Sequence, residues 1–558
     1  MKLSIILPSI RPQNLVRWFD AAEKSCKTYD YEVLIVSPYM PPEEILTKPN
    51  VTFIHSYCSP TVSFMQGSCL AKGEYIFNFT DDCLLTLNSL DFAIKIFDGT
   101  YGEKDILNLN YVEGVLDPDT LKITKEPVPF SNDYWLASTY PEYRKPGIDE
   151  SWQLAPHFLM KRAYFEVLGG LDCNFEYLNY NLHDLVFRAQ ANGSKVYQSD
   201  LTCSLCSHLP DKTGDHGPIN EAHYEWDVPM FDLVYSKPGA IASRIFLKLD
   251  SYKKFAKIWE RRFNKDNLKI KCSTESNKKL LISPEEGHCK VSRNMKKPEL
   301  SIIMPGIRPD NWDRAYESAC KASKADFELI IISPYPLTKL LQGRSNVKYI
   351  KDFGSPTRAT CMGSLLAEGK YIFPTMADDA VFIPDSIDKN LEILKLMGDE
   401  IKNVVVCKYS ESQGFSHPER YQPDDYYKLV NAYPVDKQSC PEDWWIFNAC
   451  FLHSKYFYQL GGYDASFEVA AMTHADLAMR AQMDGAIVKM SAFPILHCDH
   501  IPSGGDHTPI EIAQIDFDTP KFKEKYGKPT IDRSLKTIEL MNWKDSEAVW
   551  SRRFEEKK

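Results

Sequence analysis

Apolar positions in residues 1–80 occur in short continuous runs that amphipathic stretches separate. The runs are rich in Ile, Leu and Val and lie at 3–8, 32–36, 51–55 and 75–79. Continuous apolar character is typical of strands that are buried on both faces. Between the runs, residues 13–27 and 61–72 have the apolar spacing of helices. The pattern predicts β-α-β units, and therefore an α/β fold with a mainly parallel sheet flanked by helices. Ligands bind such a sheet at the carboxyl ends of its strands.

The same pattern occurs a second time in the chain. The sequence SIILPSIRP at 4–12 recurs as SIIMPGIRP at 301–309. The sequence SPTVSFMQGSCLAKGEYIF at 59–77 aligns without a gap with SPTRATCMGSLLAEGKYIF at 355–373, and 11 of 19 positions are identical. Because the offset between the copies drifts by only a few residues, a whole domain is repeated rather than a short solenoid unit.

Two copies of this size fit the length of the chain. At about 100–250 residues per domain, 558 residues are expected to form two large domains. The composition, 44% hydrophobic and 25% charged, excludes a disordered or fibrous chain. We predict two tandem α/β domains and a basic linker, at 1–264, 298–558 and 265–297 respectively.

Charge is distributed unevenly along the chain. The formal net charge is −10, yet residues 251–297 carry 14 Lys or Arg against 5 Asp or Glu. This segment is predicted to be a solvated tether, and contact with an anionic surface such as a membrane is the alternative. Acidic domains disfavour nucleic acid as a partner. The first ten residues lack the features of a signal peptide, and no apolar run is long enough to cross a bilayer. We therefore expect a cytoplasmic protein, with any membrane contact peripheral and made through residues 251–297.

The fifteen cysteines are scattered along the chain, which predicts free buried thiols rather than a disulfide framework. The spacing of Cys203, Cys206 and His208 is compatible with zinc binding. The repeat argues against zinc, because Ile495 stands where the second copy would need a cysteine matching Cys203.

Adjacent carboxylates follow the fourth strand in each copy. Asp81 and Asp82 come after the run at 75–79, and Asp378 and Asp379 come after its counterpart. Mg²⁺ and Mn²⁺ take oxygen ligands, commonly one or two carboxylates together with substrate phosphates. The pairs therefore indicate a site for a divalent cation and a diphosphate. The alternative, a pair of turn residues at the start of a loop, is weakened by the recurrence.

The ordered motifs resemble glycosyltransferase family 2, which has the GT-A fold, a Rossmann-like arrangement. They are S-I-I-x-P-x-x-R-P, then A-x-G-x-Y-I-F ending in an acidic cluster, then G-G-x-D-x-x-F followed by D-L-x-x-R. The resemblance covers essentially all of both copies. It implies a nucleotide-diphosphate sugar as donor, a glycan or another hydroxyl compound as acceptor, Mn²⁺ or Mg²⁺ as cofactor, and inversion at the sugar.

The resemblance also assigns residues to the donor and the metal. The metal-binding Asp is the last of the family's D-x-D cluster, which counting from the strand's Tyr places at Asp82 and Asp378. Many GT-A enzymes complete the metal shell with a His from a late loop, here His208 and His500. The other donor-side positions are Pro8, Ser9, Arg11, Asp81, Pro305, Arg308 and Asp379.

An inverting transfer needs a carboxylate to take the acceptor's proton. Neither copy has the family's usual Glu-Asp pair, so we predict Asp184 and Asp476 as the base. Each begins the D-L-x-x-R sequence and is expected at a helix N-terminus on the cleft side, with a capping role as the alternative. The sugar and acceptor side is assigned to Trp152, Asp172, Trp444 and Asp464. For the two tryptophans a core position is the alternative.

Several functions remain compatible with these residues. Both domains could be active, or one could be a degenerate copy that binds glycan or serves as a scaffold. A non-catalytic nucleotide-sugar or carbohydrate-binding protein is a second class. A nucleotidyltransferase is a third, but it usually opens with a Gly-rich phosphate loop, and neither 8–11 nor 305–308 is Gly-rich.

Overall fold

The chain divides into two compact units, Met1–Met295 and Lys296–Lys558. The computed structural model describes residues 1–117, 122–207, 222–254, 297–398, 400–412, 421–438, 440–499, 508–529, 532–539, 542–546 and 550. Of the predicted linker at 265–297, only Lys297 belongs to this described part.

The strands described in the first unit are β1 Leu3–Pro8, β2 Tyr31–Ser37, β3 Val51–His55, β4 Tyr75–Asn78, β5 Cys83–Leu85, β6 Ile106–Asn108, β7 Tyr111–Asp117, β8 Lys122–Pro129, β9 Phe158–Lys161, β10 Val196–Gln198 and β11 Ser204–Ser207. The main sheet has the order β10-β6-β9-β4-β1-β2-β3. Its pairs are parallel except at β9, which runs antiparallel to both β4 and β6. A smaller sheet has the order β5-β11-β7-β8.

The second unit repeats this arrangement with β12 Leu300–Pro305, β13 Phe327–Ser333, β14 Val347–Lys351, β15 Tyr371–Phe373, β16 Ala380–Phe382, β17 Asn403–Val406, β18 Tyr409–Ser412, β19 Cys450–His453, β20 Ile487–Met490 and β21 Leu496–Asp499. The order β14-β13-β12-β15-β19-β17-β20 corresponds strand by strand to that of the first unit. Here β19 is the antiparallel strand. The smaller sheet has the order β16-β21-β18.

Helices accompany both sheets. In the first unit they are α1 Leu15–Ser25, α2 Glu43–Leu46, α3 Pro60–Leu70, α4 Ser89–Thr100, α5 Arg162–Val167, α6 Tyr180–Ala191 and α7 Val228–Tyr235. In the second they are α8 Pro309–Ala322, α9 Lys339–Gln342, α10 Pro356–Leu365, α11 Ser386–Leu396, α12 Leu429–Ala432, α13 Ser454–Gln459, α14 Ala470–Met483, α15 Thr508–Ile512 and α16 Thr519–Tyr526. The predicted α/β class with a mainly parallel sheet is confirmed. Among the described helices, none combines the length and apolar character needed to cross a membrane.

Close helix packing explains one glycine that both copies share. Gly67 lies in α3 against β1 and β2, and a Cβ atom there would lie 2.8 Å from Ile6 Cγ2. Gly363 in α10 has the same relation to β12, with 2.8 Å to Ile303 Cγ2. Both helices are buried along almost their whole length. A side chain at either position would push the helix away from the sheet.

A buried carboxylate explains two further repeated residues. Glu32 of β2 accepts hydrogen bonds from the Ser4 hydroxyl and the Lys72 backbone N–H, both at 2.6 Å. In the second unit, Glu328 accepts from the Ser301 hydroxyl at 2.5 Å. The serine of S-I-I and the glutamate at the second strand therefore join neighbouring strands.

Candidate functional site

The loop after β1 holds the first acidic residue that follows β4. The backbone N–H groups of Ile10 and Arg11 donate to Asp81 Oδ2 at 2.9 and 2.8 Å, and the Ser9 hydroxyl donates to the same oxygen at 2.9 Å. The Arg11 guanidinium donates to Asp81 Oδ1 at 2.5 Å. Asp81 is 3% exposed, so protein groups engage both of its oxygens. The clamp forms because β1 and β4 are parallel neighbours whose carboxyl ends share one edge.

The second unit contains the same clamp. The backbone N–H groups of Ile307 and Arg308 donate to Asp378 Oδ2, both at 2.6 Å, and the Arg308 guanidinium donates to Oδ1 at 2.5 Å. Asp378 therefore corresponds to Asp81. The predicted pairing of Asp82 with Asp378 is wrong by one position, because the segment between the strand's Tyr and the clamped Asp is one residue longer in the second copy.

Asp82 and Asp379 are the equivalent second members of the two pairs. The Asp82 carbonyl accepts the Ser207 backbone N–H at 3.0 Å, and the Asp379 carbonyl accepts that of Asp499 at 2.9 Å. The clamp arginine lies close to each: Nη1 is 3.5 Å from Asp82 Oδ2 and 3.7 Å from Asp379 Oδ2. The Asp82 side chain is 20% exposed and that of Asp379 is 7% exposed. In each unit, one guanidinium thus lies within ion-pair distance of both carboxylates.

A cavity of about 250 Å³ opens at these strand ends in the second unit. Pro305, Arg308 and both members of the acidic pair line it, together with residues 469–471 at the start of α14. Trp550 closes part of the wall. Its indole N–H donates to Glu468 Oε2 at 3.0 Å, and the ring is 2% exposed. The cavity therefore combines a cation, the three carboxylates of Asp352, Asp378 and Asp379, a helix N-terminus and an aromatic surface.

The predicted donor-side residues lie together at the strand ends. Pro8 and Pro305 are the last residues of β1 and β12. Ser9 and Arg11 contact Asp81, and Arg308 contacts Asp378. Their position at the ligand-binding edge matches the prediction, and their contact with a donor stays a prediction.

Asp184 belongs to a buried ion-pair cluster. Helix α6 begins at Tyr180, which puts Asp184 in its second turn with no exposed surface. Its carboxylate accepts from Arg188 Nε and the Tyr235 hydroxyl, each at 2.8 Å, and from the Arg244 guanidinium. Burial acts to raise the pKa of Asp184, but Arg244 and Arg188 outweigh it, and the pKa lies below its ordinary value. The prediction that Asp184 lies at a helix N-terminus on the cleft side is wrong.

Asp476 has the same position in α14. It is fully buried and accepts from Arg480 Nε at 2.7 Å, Lys525 Nζ at 2.5 Å and the Tyr526 hydroxyl at 2.7 Å. Burial again acts to raise its pKa, and Arg480 and Lys525 hold it below the ordinary value. Its predicted position at a helix N-terminus is also wrong, because α14 begins six residues earlier, at Ala470.

Asp172 and Asp464 lie in these ion-pair clusters and not at the strand ends. Arg244 bridges Asp172 and Asp184, and Lys525 Nζ lies 3.1 Å from Asp464 Oδ2. Contact of either residue with a sugar or an acceptor stays a prediction. The repeat did not reveal the clusters, because the bridging cations are an Arg in one unit and a Lys at a different position in the other.

Trp152 is half-buried, and its contact with a sugar stays a prediction. Its ring packs 5.7 Å from that of Phe187, against the buried aromatic cluster of the first unit. Trp444 is half-buried, and its carbonyl accepts the Leu429 backbone N–H at 3.0 Å. The two predicted late-loop metal ligands, His208 and His500, lie outside the described residues.

The expectation of free thiols is wrong for one pair of cysteines. Cys83 of β5 and Cys206 of β11 form a disulfide across a sequence separation of 123 residues. His157 lies beside them: one donor atom from each of the three residues lies within 4.8 Å of the others, and all three are buried. Burial lowers the pKa of His157 to about 4, so the ring is neutral at pH 7. The sequence offered no signal, since Ala380 stands opposite Cys498 in the second unit.

No protein-family model and no curated protein sequence matches the chain. Solved structures that match include the crystal structure of S. aureus TarS 1-349, at 13% identity over 51% of this chain and 79% of that chain, with a TM-score of 0.28. Its complex with UDP matches at 15% identity over 51% and 79%, with a TM-score of 0.30. Its complex with UDP-GlcNAc matches at 14% identity over 51% and 80%, with a TM-score of 0.28. Similarity this low assigns no residue roles.

Proposed function

We propose that this protein transfers a sugar from a nucleotide-diphosphate donor to a hydroxyl acceptor such as a glycan. One observation carries the proposal. In both units an arginine and backbone N–H groups after the first strand hold one Asp, and a second Asp lies beside it at the strand ends. This is the ligand-binding edge of an open α/β sheet. The motifs that resemble family 2 glycosyltransferases supply the clamp residues.

The cavity of the second unit has the chemistry to bind a diphosphate. The Arg308 side chain lines it and is 22% exposed, and a guanidinium matches phosphate oxygens in charge and shape. Residues 469–471 bring the start of the 14-residue helix α14 to the same wall. Helix N-termini favour anions because their first N–H groups point outward. We place the donor's diphosphate between these two groups.

The acidic residues fit a divalent cation that takes most of its ligands from the donor. Asp81 and Asp378 are committed to the clamp, and the carboxylate next to each of them in the chain is that of Asp82 or Asp379. We assign Mn²⁺ or Mg²⁺ to these two residues together with phosphate oxygens. When bound, the cation would neutralise charge on the departing diphosphate. Asp378, the ligand predicted from the sequence, is replaced by Asp379.

A non-catalytic nucleotide-sugar-binding protein is the second candidate. It is favoured by the burial of Asp184 and Asp476, since a carboxylate with its oxygens engaged by cations and a tyrosine cannot take a proton from an acceptor. Our proposal of transfer therefore names no general base. The two candidates differ in one measurable respect, because a binding protein would retain the sugar nucleotide without releasing free nucleotide.

Nucleotide release from a panel of UDP-, GDP- and dTDP-sugars, each with Mn²⁺ and a range of hydroxyl acceptors, tests the proposal. Wild type is expected to release nucleotide from at least one donor. The variant that combines Asp82→Asn and Asp379→Asn is expected to lose release, and each single variant shows which unit works. Chelation of the metal is expected to abolish turnover, and added Mn²⁺ to restore it.

The matched control is Asp20→Asn, which changes an exposed carboxylate that pairs with Lys24. It is expected to retain full activity. Unchanged release by the double variant would remove the assignment of Asp82 and Asp379. Saturable binding of a donor without release, with any acceptor, would favour the binding protein.

A further inference from the structure

We propose that Cys83, Cys206 and His157 form a transition-metal site in the first unit when the two cysteines are reduced. The three residues lie on different segments, with Cys83 on β5, Cys206 on β11 and His157 just before β9. Their donor atoms all lie within 4.8 Å of one another. Among the described residues, they are the one group of three such side chains close enough to share an ion. Strands hold two of the three, so the set does not depend on a long loop.

The donor types identify the class of metal. Two thiolates and an imidazole are ligands for a soft or borderline cation such as Zn²⁺, whereas Mg²⁺ and Mn²⁺ prefer oxygen. The His157 ring has one nitrogen, Nδ1, at 3.4 Å from the Ser204 hydroxyl. A contact of this kind orients a metal-binding imidazole through its other nitrogen. Three protein ligands leave a fourth position, and Asp82 Oδ1, 3.7 Å from Cys83 Sγ, lies within reach of it.

The second unit shows that the fold does not need this cluster. Strand register places Ala380 opposite Cys498, as Cys83 lies opposite Cys206. Ala449 is the structural equivalent of His157. The Ala449 carbonyl accepts the backbone N–H of the residue after β17, and the His157 carbonyl accepts the backbone N–H of the residue after β6. One unit therefore has the complete set and the other has one cysteine of it. This difference is expected of a site with its own ligand, and the second unit serves as a built-in control.

Oxidation state decides whether the site can bind an ion. A phosphine reductant donates two electrons to the Cys83–Cys206 bond and becomes a phosphine oxide with the oxygen of water, and the two water protons give two thiols. Binding of Zn²⁺ then displaces both thiol protons. In the oxidised protein the sulfurs are bonded to each other and the site is closed to metal.

Co²⁺ added to the full chain reduced with a phosphine tests this site, since Co²⁺ substitutes for Zn²⁺ and shows a charge-transfer absorption only with thiolate ligands. One thiolate-bound Co²⁺ per chain is expected in the reduced protein and none in the oxidised protein. Cys83→Ser, Cys206→Ser and His157→Ala are each expected to weaken binding by roughly tenfold or more. In the wild-type protein, Zn²⁺ should displace Co²⁺. Bound Zn²⁺ should also slow the alkylation of Cys83 and Cys206, and neither measurement depends on a variant that folds.

Cys203→Ser and Cys498→Ser are the matched controls, because both remove a buried cysteine outside the complete set. Both are expected to bind Co²⁺ as wild type does. Three results would each overturn the proposal. They are a Cys83–Cys206 disulfide that the phosphine does not reduce, a reduced protein without the charge-transfer absorption, and Co²⁺ binding that the Cys83 and His157 variants leave undiminished. Asp82→Asn is expected to keep the sulfur absorption, which separates this site from the proposed sugar-transfer site.

Discussion

At the scale of single residues, the aspartates of this protein differ in burial and hydrogen bonding because their partners differ. Asp81 and Asp378 accept from an arginine and two backbone N–H groups, while Asp82 and Asp379 keep part of their surface at the strand ends. Asp184 has no exposed surface. Sequence alone predicted that carboxylates gather at the strand ends. It did not predict which of them would be engaged internally, because the engaging groups come from distant segments such as Arg244.

Asp184→Asn is expected to destabilise the first unit without acting on chemistry. The change leaves the buried Arg188 without the charge that compensates its burial, while Arg244 keeps Asp172 as its remaining partner. Breaking a buried pair from one side costs about 3–5 kcal/mol. Asp20→Asn, which affects the exposed pair with Lys24, is expected to cost under about 1 kcal/mol. Thermal unfolding of both variants checks the difference. A fully stable Asp184→Asn protein that has lost activity would instead restore the predicted base.

At the scale of elements, the hydrophobic pattern was sufficient for the four strands and two helices that it predicted in residues 1–80. The runs at 3–8 and 51–55 are the observed strands β1 and β3, and the predicted helix at 13–27 contains α1, Leu15–Ser25. Periodicity reports burial along one element and contains no information on which residues meet across elements. The disulfide between Cys83 and Cys206 depends on the pairing of β5 with β11, so it could not be predicted in this way.

Gly67→Ala is expected to destabilise the protein by about 1–3 kcal/mol, because the new methyl group overlaps Ile6 and separates α3 from the sheet. Gly99→Ala in α4 is the matched control, since a Cβ atom there meets nothing within 4 Å. It is expected to stabilise by up to about 1 kcal/mol through helix propensity. Chemical denaturation of the two variants gives the comparison, and equal effects would contradict the close packing of α3.

One buried carboxylate in each unit is expected to make the stability of the protein depend on pH. Asp227 accepts the backbone N–H groups of Glu176 and Tyr177, and Asp518 accepts those of Glu468 and Val469. Burial raises the pKa of Asp227 to about 7 and that of Asp518 to about 6. Between the ordinary pKa near 4 and these values, the folded state binds protons that the unfolded state has released. Stability should therefore fall as pH rises through this window.

Unfolding midpoints measured from about pH 4 to about pH 8 check this dependence. The loss from Asp227 is at most about 4 kcal/mol. The variant that combines Asp227→Asn and Asp518→Asn is expected to lose less stability than wild type over the same range. Parallel profiles for the two proteins would show that neither carboxyl is protonated in the folded state.

At the scale of the whole molecule, the repeat acts as an internal comparison. It predicted two copies of one domain from the sequence, and the structure gives the two units one strand order. It also misled where the copies differ in length by one residue, so that Asp82 was matched with Asp378. The functional assignment is strongest where the two units agree in three dimensions. Where they differ, as at Cys83 and His157, the difference itself is informative.

The position of Trp550 should allow ligand binding to the second unit to be followed by intrinsic tryptophan fluorescence. The indole lines the cavity and is fixed there by Glu468. A sugar nucleotide that enters should change the polarity around this ring and shift its fluorescence. Titration of a donor is expected to give a saturable signal that Trp550→Phe removes, and an unchanged spectrum at saturating donor would contradict this. Binding could then be followed without a label, an acceptor or turnover, and separately from any event in the first unit.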